Sequence, residues 1–358
     1  MISISQFSPK LLQWFESHHR PMPWKGEKNP YLIWLSEIIL QQTRVEQGLP
    51  YFERFASNYP TVKDLADAPA DDIMKMWEGL GYYSRARNLH ATAKHIAYQL
   101  KGIFPTTYKE ILTLKGVGPY TAAAIASFAY DLPHAVVDGN VYRVLSRVFG
   151  IQTAIDSTEG KKEFNQLASE LINPQRAADY NQAIMDFGAT QCTPKSPNCA
   201  ICPFKKGCIA FNEKRINELP FKSKKIKKTE RFLNYFVLNF NNETWISKRT
   251  EKDIWQNLYE FPLIETTKTF DLIDIQSSEK WFEMFPKGTK FTISKISKPY
   301  KQVLTHRKII ATFVEITIYD ELNHFVLKKI PKKDIQEYAF PKVISQYLQD
   351  KSLYLELF

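Results

Sequence analysis

The chain has only four cysteines, Cys192, Cys199, Cys202 and Cys208, and they share one short stretch with the spacing C-x6-C-x2-C-x5-C. A disulfide framework would spread its bridges over the fold, whereas thiols gathered in one loop suit a metal cage in a reducing compartment. Zinc ribbons usually carry two tight C-x2-C knuckles. One knuckle flanked by longer, unequal arms favours a 4Fe-4S cluster, with zinc as the alternative. A second chemistry rests on carboxyl groups. Glu37 lies in the most apolar stretch of the chain, beside Ile38 and Ile39 and a turn after Ile33 and Trp34. Burial disfavours the charged form, so such a group can hold a proton near neutral pH and deliver it as a general acid. A buried glutamate satisfied by backbone donors or an arginine is the plainer reading. Asp138 follows Ala135-Val136-Val137 and precedes Gly139-Asn140. It is either a helix N-cap or a second carboxylate kept ionised by polar neighbours and the helix terminus. Two carboxyl groups in opposite protonation states, one feeding a leaving group and one facing a developing cation, are what glycosidic cleavage requires. Finally, Gly116-Val117-Gly118-Pro119-Tyr120 places two glycines ahead of a proline at a helix start. That is a site of phosphate size, or an ordinary turn between helices.

These groups need a framework, and the first 210 or so residues predict a helical one. Pro30 to Thr43 is apolar at nearly every position and predicts a helix buried on most faces. Amphipathic patterns follow at Val62 to Leu80, Ser84 to Leu100, Tyr108 to Leu114, Pro119 to Tyr130, Val141 to Phe149, Lys161 to Ile172 and Tyr180 to Ala189. They are broken by Gly79, Gly81, Pro105, Gly116, Gly118 and Pro133. The run Lys222 to Arg231 carries six basic residues against Glu230 and reads as a linker. Beyond it, Phe232 to Phe240, Thr244 to Lys248, Lys290 to Ile296 and Ile309 to Tyr319 alternate apolar and polar residues, as strands do. The organisation expected is multi-domain: an all-α domain over 1–214, a linker over 215–230, and an α/β domain over 231–358.

The 358 residues include 48 Lys and Arg against 38 Asp and Glu, a net charge of +10, which suits a polyanionic partner or simply solubility. With 44% hydrophobic and 24% charged residues the chain has material for real cores, which excludes wholesale disorder. No apolar run is long enough to span a bilayer and no signal peptide is visible, so a cytoplasmic protein without membrane contact is expected.

Several stretches together carry a family resemblance: Arg20-Pro-Met-Pro-Trp24, Ser36 to Glu46 (SEIILQQTRVE), Trp77 to Leu89 (WEGLGYYSRARNL), Leu114 to Thr121 (LKGVGPYT), Val137 to Val144 (VDGNVYRV) and the cysteine loop. The chain resembles the helix-hairpin-helix DNA glycosylases with an iron-sulfur cluster, and in detail their adenine-specific branch. Ile254 to Pro262 (IWQNLYEFP) resembles the Nudix-like recognition domain of that branch. The resemblance implies base-excision repair by a monomer acting on double-stranded DNA, hydrolysing adenine mispaired with 8-oxoguanine or guanine. It implies Glu37 as the general acid toward adenine N7 and Asp138 as the carboxylate facing the sugar cation. Tyr120 and Asn140 would orient them, and Arg20, Trp24 and Gln182 would surround the extruded base. Gln42, Thr43 and Tyr82 would serve as wedge and contacts to the opposite base. The hairpin residues Gly116, Val117 and Gly118 would meet the DNA backbone, with a monovalent or divalent cation as a possible companion, and Lys195 would reach phosphates from the cysteine loop. The four cysteines would ligate the 4Fe-4S cluster.

Position 120 separates branches. Bifunctional relatives such as endonuclease III place there a lysine that forms a Schiff base with the sugar, so Tyr120 implies hydrolysis without efficient strand cleavage. The alternatives are an endonuclease III-like glycosylase and lyase for damaged pyrimidines, and a non-catalytic iron-sulfur DNA-binding protein. This chain departs from the pattern in three places. Leu304-Thr305-His306 replaces a Phe-Ser-His lesion-reading loop, leaving Thr305 and His306 as the polar contacts. Lys25 stands where an arginine is usual. The C-terminal domain also lacks the glutamate-rich signature that binds magnesium, which implies recognition without pyrophosphatase activity.

Overall fold

The computed structural model describes residues 2–18, 20–223, 228–320 and 327–355. They form two compact units, Met1–Asp67 with Asn88–Lys225, and Ala68–Arg87 with Ile226–Phe358. The linear division expected from the sequence is therefore interrupted by Ala68–Arg87, which packs with the C-terminal part. Polar anchors explain the allegiance. Asp71 accepts from the Tyr259 hydroxyl at 3.0 Å and pairs with Lys248, and Glu78 accepts from Ser345 Oγ at 2.7 Å. Arg87 donates to the Gln256 carbonyl at 2.7 Å. Of the expected linker, residues 224–227 lie outside the described residues, and its last two positions already belong to a strand.

The helices in chain order are α1 (Ile4–His18), α2 (Pro30–Leu40), α3 (Val45–Asn58), α4 (Val62–Asp67), α5 (Ala70–Met76), α6 (Ser84–Lys94), α7 (Tyr108–Thr113), α8 (Pro119–Tyr130), α9 (Gly139–Phe149), α10 (Thr158–Leu171), α11 (Ala177–Asp186) and α12 (Ile209–Asn212). The single helix predicted over Val62 to Leu80 is divided, because Pro69 caps α5 at φ −57°, ψ 141° and pushes Ala68 away from helical geometry. The helix predicted to Thr43 stops at Leu40, where Gln41 turns extended and Gln42 becomes left-handed at φ 56°. The first unit's core gathers Phe7, Leu11, Val144, Leu145, Phe164 and Phe187. Phe7 stacks on Phe204 with ring centroids 4.8 Å apart, fastening α1 to the cysteine loop.

In the second unit the strands are β1 (Thr229–Phe240), β2 (Glu243–Lys248), β3 (Tyr259–Glu260), β4 (Leu263–Thr266), β5 (Phe291–Ile296), β6 (Tyr300–Val303), β7 (Arg307–Ile318) and β8 (Lys328–Pro331). β1 and β7 run parallel from Thr229 opposite Arg307 to Asn239 opposite Thr317, and the remaining pairs are antiparallel, so the sheet is mixed. Helices α13 (Leu272–Gln276), α14 (Glu279–Met284) and α15 (Lys342–Leu355) complete the unit. Phe236, Leu238, Trp281, Val314 and Ile316 form one core. Tyr347 of α15 stacks on Phe313 of β7 at 4.0 Å.

Candidate active site

Asn29 caps α2 by accepting from Tyr31 N at 3.0 Å, and Pro30 takes the first helical position, where a missing N–H is harmless. The helix then buries Tyr31 and every residue from Ile33 to Ile39. Glu37 is among them at 8% exposure. Burial pushes its carboxyl up to about 7; hydrogen bonding with Tyr120 opposes the rise and the Asp138 charge adds to it. Tyr120, in the first turn of α8, has its phenol raised well above 10, first by burial and then by the Glu37 and Asp138 charges. Its hydroxyl donates to Met185 Sδ at 3.3 Å.

Asp138 is the helix N-cap that its position suggested. It caps α9, with Oδ1 accepting from Asn140 N at 2.9 Å and Val141 N at 2.8 Å while Oδ2 accepts from Asn140 Nδ2 at 2.8 Å. It also lines the cavity that Glu37 lines. Burial pushes the Asp138 carboxyl up, and the donors from Val141 and Asn140 and the Arg143 charge offset that only in part. Asn140 is itself oriented by Arg143, whose Nη2 donates to Asn140 Oδ1 at 2.8 Å.

The cavity, about 1260 Å³, is lined by Arg20, Trp24, Lys25, Glu37, Gln42, Thr43, Tyr120, Asp138, Asn140 and Gln182 among others. It is large enough for an extruded nucleoside. Residues from five separate stretches of sequence thus meet at one surface. Trp24 is held edge-on against Phe52 at 5.3 Å. Two wall residues carried no signal of their own in the sequence: Met185, and Asp186, which pairs with Lys25 at 2.6 Å. The one cue for Asp186 was its place four residues after Gln182 on the same helix.

The hairpin between α7 and α8 is a tight turn. Gly116 has φ 83°, and a Cβ there would lie 2.8 Å from Asn88 Cβ, so no other residue fits. The Val117 amide is used within the turn, donating to Leu114 O at 3.0 Å, whereas a Cβ on Gly118 would meet open space. Tyr82, Thr305 and His306 belong to the second unit. The Tyr82 and Thr305 hydroxyls hydrogen-bond to each other, and Arg85 lies over the Tyr82 ring at 5.7 Å. Gln42 and Tyr82 are both left-handed, at φ 56° and 45°, a conformation that non-glycine residues keep mainly where surroundings impose it.

The four cysteines are half-buried thiols in one loop. Burial, with mutual repulsion from the other three sulfurs, pushes the Cys202 thiol up to about 12, though the Phe204 amide works against the rise. Arg147 Nη1 lies 3.5 Å from Cys192 Sγ, and Arg143 Nε donates to the Cys192 carbonyl at 2.7 Å. Among the described residues no three His, Cys, Asp or Glu side chains converge closely enough to hold a metal ion. The donor types are those an iron-sulfur cluster takes: four soft thiols on one loop that raise one another's proton affinity, beside an arginine suited to the negative charge of a thiolate cage. Lys195 is exposed on the same loop.

Comparison with known proteins agrees with this architecture. Residues 35–174 match the model for HhH-GPD superfamily base excision DNA repair proteins, and residues 234–350 match that for the NUDIX domain. The adenine DNA glycosylase of Buchnera aphidicola subsp. Schizaphis graminum is 37% identical over 92% of this chain and 88% of its own length. The adenine DNA glycosylase of Homo sapiens is 40% identical over 58% of this chain and 40% of its own. Among solved structures, a thermostable thymine-DNA glycosylase superposes with a TM-score of 0.55 at 30% identity, over 59% of this chain and 97% of that one. No helix among the described residues is long and apolar enough to cross a membrane.

Proposed function

The chain belongs to the adenine DNA glycosylases, base-excision enzymes that hydrolyse the N-glycosyl bond of adenine in DNA, and from that premise we propose that its substrate is adenine mispaired with 8-oxoguanine or guanine, and that it leaves the strand uncut. The observation that carries the mechanism is that Glu37 and Asp138 line one cavity, with Glu37 raised to about 7 and Asp138 bound by three N–H donors. Protonated Glu37 delivers its hydrogen to adenine N7, so the bond electrons leave with a neutral base. Ionised Asp138 faces the positive charge that develops at C1′ until water adds there. Tyr120 hydrogen-bonds with Glu37, and Asn140 holds Asp138 in place. Position 120 carries a phenol and no amine, so it cannot form a Schiff base with the sugar.

The second unit is the reader of the opposite base, through Tyr82, Thr305 and His306. The four cysteines would hold a 4Fe-4S cluster, which would brace the loop that presents Lys195 to phosphates. Incubation with duplexes carrying adenine opposite 8-oxoguanine, adenine opposite guanine, or thymine glycol tests the reading. We expect abasic product first from the 8-oxoguanine duplex, with strand breaks only after alkali. Breaks without alkali, or preferential release of thymine glycol, would overturn it.

A further inference from the structure

Gln182 and Asp186 stand one turn apart on the same face of α11, and both line the cavity. Gln182 Nε2 donates to Asp186 Oδ1 at 3.3 Å. The other oxygen, Oδ2, accepts from Lys25 Nζ at 2.6 Å and faces Arg20 N at 3.4 Å. Asp186 and Lys25 are nearly enclosed, at 4% and 13% side-chain exposure. One carboxylate therefore collects the loop that carries Arg20 and Trp24, the Lys25 ammonium and the Gln182 amide. An ionised carboxylate only accepts hydrogen bonds, so it can engage only the nitrogen end of that amide. Adenine presents a donor, its exocyclic amine, where hypoxanthine and guanine present an acceptor oxygen.

We propose that Asp186, held by Lys25, is a positioning residue that locks the Gln182 amide with Nε2 on the carboxylate and Oε1 left to accept from the base, so that the pocket selects a 6-amino purine over a 6-oxo purine. This rests on the reading of the cavity as the base pocket. Without the lock the amide can rotate by half a turn and donate to a 6-oxo group; with it, that oxygen meets a carbonyl and loses its partner.

The test is single-turnover excision of adenine and of hypoxanthine, each opposite 8-oxoguanine, by the full chain and by Asp186→Asn, whose amide accepts either orientation of Gln182. We expect the adenine-to-hypoxanthine rate ratio to narrow by about tenfold, the usual weight of one mismatched buried hydrogen bond. The same substitution in a Gln182→Leu background should leave the ratio unmoved, because no amide remains to orient. Both rates falling together at a constant ratio, or an equal change of ratio in the Gln182→Leu background, overturns the lock. If Asp186→Asn does not fold by thermal melting, Lys25→Met is judged by the same ratios. A wild-type protein that releases neither base overturns the pocket reading, whereas adenine release with an unmoved ratio overturns only the orientation.

Discussion

Replacing Glu37 with glutamine removes the proton donor while keeping the shape of a side chain that is 8% exposed. Its carboxyl stands at about 7 in the pocket against 4.5 in water. That difference corresponds to roughly 3 kcal/mol of penalty on the ionised form. At pH 7 about half of the molecules then carry the proton, where an unperturbed carboxyl would carry it in roughly one molecule in 300. Excision by the wild type should therefore be level on the acid side of about 7 until Asp138 takes up a proton, and fall about tenfold per pH unit well above 7. Glu37→Gln should be slower by on the order of 10² to 10⁴, without the alkaline limb, while still binding the mismatched duplex. The same shift sets a stability difference. The folded-state acid lies above its unfolded value, so wild type loses stability relative to Glu37→Gln as pH rises from about 4.5 through 7. The variant should gain up to roughly 3 kcal/mol at pH 8.5 and nothing near pH 4, read from urea melts. Single-turnover rates over pH 5 to 9 decide the matter. An alkaline limb that persists in Glu37→Gln, or an equal loss of binding and rate, would refute the reasoning.

Asp138→Asn keeps an acceptor for the Asn140 and Val141 amides, whereas Asp138→Ala removes it. Both should be slow, but only the alanine variant should also lose about 1 kcal/mol of stability in denaturant melts. Unaltered turnover in Asp138→Asn would remove the residue from the mechanism. Purified under reducing, anaerobic conditions, the protein should be brown, with absorbance near the blue edge of the visible range that is lost in Cys199→Ser. A colourless protein with one zinc per chain would contradict the iron assignment.

The helical first unit, the strands after the basic run and the thiol loop were legible in sequence because each is announced by short-range chemistry. Asn29-Pro30 starts a helix, Gly116 admits a turn that no other residue fits, and β1 and β7 are rich in aromatic and β-branched residues, although Leu233 to Leu238 and Ala311 to Val314 are buried without a break where alternation was expected. Glu37 was conspicuous for the same reason, a lone carboxyl in an apolar run. Local pattern failed at Pro69, where one residue outweighed the periodicity around it. Only folding brings Lys25 to Asp186 across 161 positions, Tyr82 to Thr305 across 223, and Arg143 to the Cys192 carbonyl. It also sends Ala68–Arg87 to the C-terminal unit. Capping, turns and periodicity act within a few residues and are written where they act. Burial, ion pairing and a shared cavity are properties of surfaces meeting across the chain, so neither partner's neighbourhood in sequence records them.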